Sequence, residues 1–318
     1  MKKDIHFIIN KSELTAGTRG ASLGPEALFV AARAVNNRFF NDFNVEELPN
    51  YNYLLDQPVE HAFAKRVGGL IQVYTDVSSI VSEKLAKQQF PFLLSGDHGS
   101  AGGTIAGIKK AYPTKRLGVI WVDAHGDLHT PYTTPSGNMH GMPLATVLNE
   151  DNLACQINDV PVATIDAWNL LKNTGFEGAK IQPEDLIFIA VRDTEAQEDV
   201  LIERLQIKNY TVAEVEKEGA IQIAQKALED LNDCDIIYVS FDVDSMDPVH
   251  TSFGTGTPVA NGLHPNQAKD ILNTFCTSSK LVCMEFVEIN PCLDDKMNKM
   301  AEISFSILES IVTSNLIN

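Results

Sequence analysis

Apolar runs of strand length alternate with longer amphipathic stretches along almost the whole chain. Runs rich in Val, Ile and Phe predict strands at 5–9, 90–94, 117–123, 186–191, 235–242 and 281–287. Several are apolar nearly throughout, as expected for strands covered on both faces. Helical patterns fall at 25–35, 99–110, 195–205, 220–231, 265–275 and 295–314, with one or two more helices within 59–87. Pro25-Glu26, directly after Gly24, suits the first turn of a helix. This alternation predicts an α/β fold with a mostly parallel central sheet and helices on both faces. No internal repeat or linker-like shift interrupts it, so a single domain over residues 1–318 is expected.

Charge narrows the partners. The 318 residues carry 25 Lys+Arg and 42 Asp+Glu, a formal charge of −17. Phosphate would repel such a surface, and no basic block stands out, so nucleic acid is not an expected partner. An anionic membrane surface is disfavoured by the same sign, and no apolar run reaches the roughly 18–20 residues of a spanning helix. The opening run, broken by Asp4, is too short for the apolar region of a signal peptide and is expected to be a first strand. Five scattered cysteines with no Cys-x-x-Cys predict reduced thiols in a cytoplasmic protein.

Three strand ends carry ligand-type side chains. They are Ser95-Gly96-Asp97-His98, Asp123-Ala124-His125-Gly126-Asp127 and Asp242-Val243-Asp244. Alternation in an extended chain would point Asp123, His125 and Asp127 one way, and Asp242 and Asp244 likewise. Carboxylates gathered at the end of an apolar strand repel one another unless something positive lies between them. A lone Asp at a strand end is usually a turn former, and Asp247 before Pro248 is read so. Asp97 is read as support for His98. The other six, four carboxylates and two imidazoles, exceed what one catalytic zinc takes and suit two oxygen-preferring dications such as Mn²⁺. The chemistry indicated is metal-assisted hydrolysis.

These motifs, with Ser240-Phe241-Asp242-Val243-Asp244-Ser245-Met246-Asp247-Pro248, resemble the metal motifs of the ureohydrolases, in order and over nearly the whole chain. The resemblance implies a three-layer α/β/α fold of the arginase/deacetylase type and two Mn²⁺ per chain. It implies that His98, Asp123, Asp127 and Asp242 hold one ion. Asp123, His125, Asp242 and Asp244 would hold the other, and a metal-bridging hydroxide would attack a guanidinium carbon. The loop from Thr130 to Gly141 is similar to the arginases within that family, where it binds a substrate α-carboxylate; Thr134, Ser136 and Asn138 match. The segment Arg192-Asp193-Thr194-Glu195, with Glu198, matches one that contacts the α-amino group. His140 matches a proton-transfer histidine, Glu288 the glutamate that pairs with the guanidinium, and Thr257 a further active-site position. Asp127 would pass a proton to the departing amine. Glu285 has the opposite strand parity from Glu288 and is given no such role.

Three positions depart from the arginase pattern: His129 where asparagine is common, Glu195 where aspartate is usual, and Gly99 where serine is typical. His129 and Glu195 fall where the amino-acid end of a substrate would bind. The expected partner is a small cationic guanidino substrate, L-arginine, and the resemblance implies a homo-oligomer, trimer or hexamer. Agmatine or a guanidino acid is the alternative substrate. More distant alternatives are a deacetylase-type hydrolase on the same fold and a metal-binding sensor without catalysis.

Overall fold

Every strand pairing in the structure is parallel. The structure is a computed structural model that describes residues 3–316; Met1, Lys2, Ile317 and Asn318, the ends of the expected 1–318 span, lie outside the described residues. The strands are β1 (Ile5–Asn10), β2 (Asn44–Glu47), β3 (Phe90–Ser95), β4 (Leu117–Val122), β5 (Leu186–Ile189), β6 (Lys208–Tyr210), β7 (Ile236–Asp242) and β8 (Leu281–Val287). They form one sheet in the order β2-β1-β3-β8-β7-β4-β5-β6. The helices are α1 (Gly24–Ala34), α2 (Val67–Ala86), α3 (Ala101–Ala111), α4 (Pro143–Leu148), α5 (Val162–Asn173), α6 (Ala196–Leu205), α7 (Val212–Glu218), α8 (Ala220–Asp230), α9 (Pro265–Cys276) and α10 (Lys299–Ile311).

Strand alternation divides the core into two layers. Phe7, Phe92, Ile120 and Val239 pack with residues of α1, α8, α9 and α10 on one face. Ile8, Leu93, Trp121 and Tyr238 pack with α2, α3, α5 and α6 on the other. The result is the three-layer α/β/α arrangement, with the sheet wholly rather than mostly parallel.

The expected strands all form, within two residues at each end, because each buries both faces. The edge strands β2 and β6 escape the apolar pattern: β2 is Asn-Val-Glu-Glu, largely exposed, and β6 has three residues. Within 59–87 one helix forms, starting at Val67, because Arg66 adopts the left-handed conformation (φ 59°) and stops it from extending backwards. Exposed Val162 and Leu170 blur the apolar stripe of α5. Among the described residues no helix is long and apolar enough to cross a membrane.

Candidate metal centre and substrate cavity

The four central strands β3, β8, β7 and β4 end side by side, and their carboxyl ends lead into the ligand-type residues. In a parallel sheet this edge is where loops converge on a ligand. The alternation argument holds only up to the strand ends. Strand β4 stops at Val122, and Asp127 adopts a left-handed conformation (φ 50°) that turns the loop back. Past β7, Val243–Ser245 form a tight 3-10 turn in which Asp242 accepts a hydrogen bond from the Asp244 N–H at 2.8 Å. The carboxylates therefore meet through turns, not through an extended register.

They meet closely. His98 Nδ1 lies 2.9 Å from Asp123 Oδ2, 3.3 Å from Asp127 Oδ2 and 3.2 Å from Asp242 Oδ2. His125 Nδ1 lies 3.4 Å from Asp123 Oδ1 and 3.2 Å from Asp244 Oδ2. Asp123 thus turns one oxygen to each imidazole. Burial and the charges of Asp244 and Asp123 hold the Asp242 carboxyl well above the usual range, and burial with Asp123 does the same to Asp127. Burial opposes the ionisation of Asp123 too, yet His125 and His98 hold it low. Although His98 Nδ1 and Asp123 Oδ2 are near neighbours, both are buried with no hydrogen-bond partner. Buried polar atoms are rarely left so, and donors aimed at one point without bonding one another fit a cation between them.

A cavity of about 220 Å³ opens above this cluster. Its walls include His98, His125, Asp127, Asp242, Thr134, Ser136, Asn138, His140, His129, Glu195, Glu198 and Thr257. Asp123 and Asp244 sit beneath, in contact with the two imidazoles. Glu288, just past β8, adopts a left-handed conformation (φ 63°) and is tied twice to the β3 end: its N–H donates to Gly96 O and its Oε1 accepts from His98 N–H, both at 2.9 Å. Burial beside Asp97 pushes its carboxyl up to about 8. His140 Nδ1 lies 3.9 Å from that Oε1, and burial together with the charges on His125 and His98 pushes the His140 imidazole down to about 4.

The rim satisfies itself. Thr134 Oγ1 accepts from Gly137 N–H at 2.9 Å, and Ser136 Oγ from Asn138 N–H at 3.1 Å. Lys65 Nζ donates to Asn138 Oδ1 at 3.2 Å, bringing a positive charge beside that loop which no motif had marked. His129 and Glu195, the two rim departures, meet each other: Nε2 lies 2.8 Å from Glu195 Oε2 and 3.4 Å from Glu198 Oε2, while Nδ1 meets Thr133 Oγ1 at 3.1 Å. Glu198 also accepts from Leu128 N–H and Glu195 N–H. Burial raises its carboxyl to about 7, whereas the His129 bond lowers that of Glu195 to about 2. His129, Glu195 and Glu198 have ligand atoms within 4.8 Å of one another, but they bond among themselves.

Two expectations change. Asp97 does not support the His98 ring; its Oδ2 accepts from Thr15 N–H at 2.8 Å, and His98 Nε2 is held instead by Ser240 Oγ at 2.7 Å. Arg192 grips the carbonyls of Ala190, Asp244, Val259 and Ala260, so it braces the loops under the cavity. Thr257 donates to Asp244 Oδ2 at 3.0 Å. Trp121 stacks on His98, ring centroids 3.9 Å apart and planes within 2°. Ser240 and Trp121 each precede a ligand carboxylate by two positions on the same strand face, a signal the motifs contained.

A sequence model of the Arginase family matches residues 4–313. The chain belongs to the arginase family. An arginase of Bacillus subtilis is 31% identical over 317 residues, covering 100% of both chains. The solved native arginase of Bacillus caldovelox superposes with a TM-score of 0.82 at 30% identity, covering 99% of this chain and 100% of that one. A structure described as a hypothetical agmatinase from Burkholderia thailandensis shares the fold at a TM-score of 0.68 and 20% identity, covering 98% of this chain and 85% of its own. Membership of the arginase family makes the chain a ureohydrolase, and the clustered His and Asp side chains are those able to hold metal.

Proposed function

We propose that the chain hydrolyses the guanidinium of L-arginine to L-ornithine and urea with two Mn²⁺ per chain. The observation that carries this reading is the pair of imidazole–carboxylate clusters sharing Asp123 at the floor of one cavity. His98, Asp123, Asp127 and Asp242 would hold one ion, and Asp123, His125, Asp242 and Asp244 the other. Two bound dications lower the pKa of a water toward neutrality and offset the carboxylate charge.

The chain's own residues bind, orient and move protons. Glu288 pairs with the guanidinium fork, and the His98 N–H on its Oε1 keeps that carboxylate from swinging. Thr134, Ser136 and Asn138 receive the α-carboxylate, with Lys65 adding charge behind Asn138. Glu195 and Glu198 face the α-ammonium, and His129 holds both in place. Thr257 fixes the Asp244 carboxylate. Asp127, lining the cavity, gives the departing amine its proton. His140 is neutral near pH 7, so it can accept a proton and pass it to solvent. The five free cysteines suit a reducing cytoplasm, and we place the chain there as a homo-oligomer, trimer or hexamer, which sedimentation would resolve.

The alternative ureohydrolase substrates fit the rim less well. Agmatine has no carboxylate for the 134–138 loop to meet. Urea release measured on Mn²⁺-loaded protein with arginine, agmatine and 4-guanidinobutyrate tests the choice: arginine should be fastest. Faster release from agmatine would sink it, and no release from any of them would leave a metal-binding protein without this catalysis.

A further inference from the structure

Past their last paired residues, Asn10 and Ser95, the neighbouring strands β1 and β3 stay together as two loops. Residues 12–15 run along the 96–99 turn, and Asp97 pins them at both ends. Its N–H donates to Ser12 O at 2.9 Å, and its Oδ2 accepts from Thr15 N–H at 2.8 Å. Two glycines let the loops lie this close. A Cβ at Gly96 would fall on Ser12 O. A Cβ at Gly99 would fall on Thr15 Oγ1, with Thr15 Cβ and Cγ2 only 2.8 and 2.9 Å away. Carbon atoms in contact rest at about 3.5–4.0 Å. Gly99 has no left-handed φ, so space and not backbone conformation dictates a glycine there. The buried Thr15 side chain takes the room that a side chain at position 99 would need, which accounts for Gly99 where serine is typical.

Each side of this seam carries a group from the cavity. On one side the His98 N–H, next to Gly99, donates to Glu288 Oε1 at 2.9 Å. On the other, Thr15 O accepts from His140 N–H at 3.3 Å. His140 Nδ1 lies 3.9 Å from that same Glu288 oxygen. The His98 side is the firmer one, since its ring stacks on Trp121 and its Nε2 meets Ser240 Oγ at 2.7 Å. A displacement at the seam therefore falls on Thr15.

We propose that Thr15 is a positioning residue: packed on Gly99, it sets the distance at which His140 stands from Glu288. The inference rests on the arginine-hydrolysing reading given above. A Cβ at position 99 pushes Thr15 off the His98 turn, and the Thr15 carbonyl carries His140 with it.

Kinetics of the Mn²⁺-loaded full-length protein with arginine test this, with bound metal counted in each variant. A wild type that releases no urea would sink the functional reading and this inference with it. Given turnover, Gly99→Ala should lower kcat roughly 10–100-fold, the size of loss expected when a reacting group is misplaced by about an ångström. KM should stay within about threefold because the rim is untouched, and as many ions should bind as in wild type. In a His140→Asn background the same change should lower kcat by less than about threefold, because the group it displaces is gone. Adding Thr15→Gly to Gly99→Ala should return most of the lost kcat. Thr15→Ala carries the test if Gly99→Ala does not fold: its own fall in kcat should likewise vanish in the His140→Asn background. An equal loss with and without His140, loss of an ion in Gly99→Ala, or no recovery on adding Thr15→Gly would overturn the inference.

Discussion

On the cavity floor, His98 Nδ1 and Asp123 Oδ2 are buried and make no hydrogen bond, although carboxylates and imidazoles crowd around them. On the rim, above the same cavity, His129, Glu195, Glu198, Thr134 and Ser136 are bonded within the chain. The floor therefore needs a partner from outside, whereas the rim holds its shape without one. Two of the three departures from the arginase pattern fall on the self-bonded rim; the third, Gly99, follows the floor ligand His98. His129 and Glu195 change together on the rim and bond each other at 2.8 Å. Six ligand-type residues on the floor match without a substitution.

The strongest way to break the contrast is on the floor. Asp242→Asn should lower urea release by at least ~10³-fold, because several kcal/mol of charge stabilisation goes with the ions. The same change should stabilise the metal-free protein. Burial and two neighbouring carboxylates raise the Asp242 carboxyl, so its contribution is present only at low pH and lost as pH rises, and at neutral pH its charge is a penalty. Asparagine removes that penalty, and thermal melts in chelator at pH 7.5 should rise by about 3 °C, equivalent to ~1 kcal/mol. A lower melting point would show that Asp242 is satisfied without metal.

Metal removal from wild type should show the complementary effect. Mn²⁺ at about 100 times its dissociation constant adds ~2.7 kcal/mol per site, read as a concentration-dependent rise in melting temperature. A melting point indifferent to Mn²⁺ would mean that the orphaned floor atoms are no binding site.

His140 lies between the two regions and gives a pH test. Its imidazole falls from 6.5 to about 4 on folding, so the fold favours the neutral form. That contribution is whole above about pH 6.5 and is lost as pH falls toward 4, on the order of 3 kcal/mol. Denaturant unfolding of metal-free wild type and His140→Asn should therefore converge as the buffer is taken down through this window. Parallel curves would show that His140 titrates alike in the folded and unfolded chain.

The smallest effect is expected on the rim. Glu195→Asp with His129→Asn should shift KM for arginine by less than ~10-fold and leave kcat within about twofold, since rim contacts act alike on bound substrate and transition state. A large fall in kcat would move His129 into the catalytic group and erase the contrast.

Much of this was legible in the sequence because the floor is written as local motifs. Asp123-Ala124-His125-Gly126-Asp127 and Asp242-Val243-Asp244 each directly follow an apolar strand, and the helix start at Glu195 and Glu198 has the spacing of a capping pair. Thr211 and Glu214 carry the same cue for α7, with Glu214 N–H donating to Thr211 Oγ1 at 3.3 Å, although the expected helices omitted it. The polar edge strands β2 and β6 stayed hidden because pairing, not apolar composition, makes them strands.

The sequence by itself determined the parallel α/β architecture and the identity of the ligand-type residues, since burial on two faces and short motif spacing are local properties. Only the tertiary structure decided which side chains meet. The left-handed turns at Asp127 and Glu288 aim their carboxylates where strand parity did not. The contact of His98 with Ser240, the stack on Trp121 and the hydroxyls around Glu285 join residues far apart in the chain. Sheet order brings β3, β8, β7 and β4 together, and no run of neighbouring residues records that order.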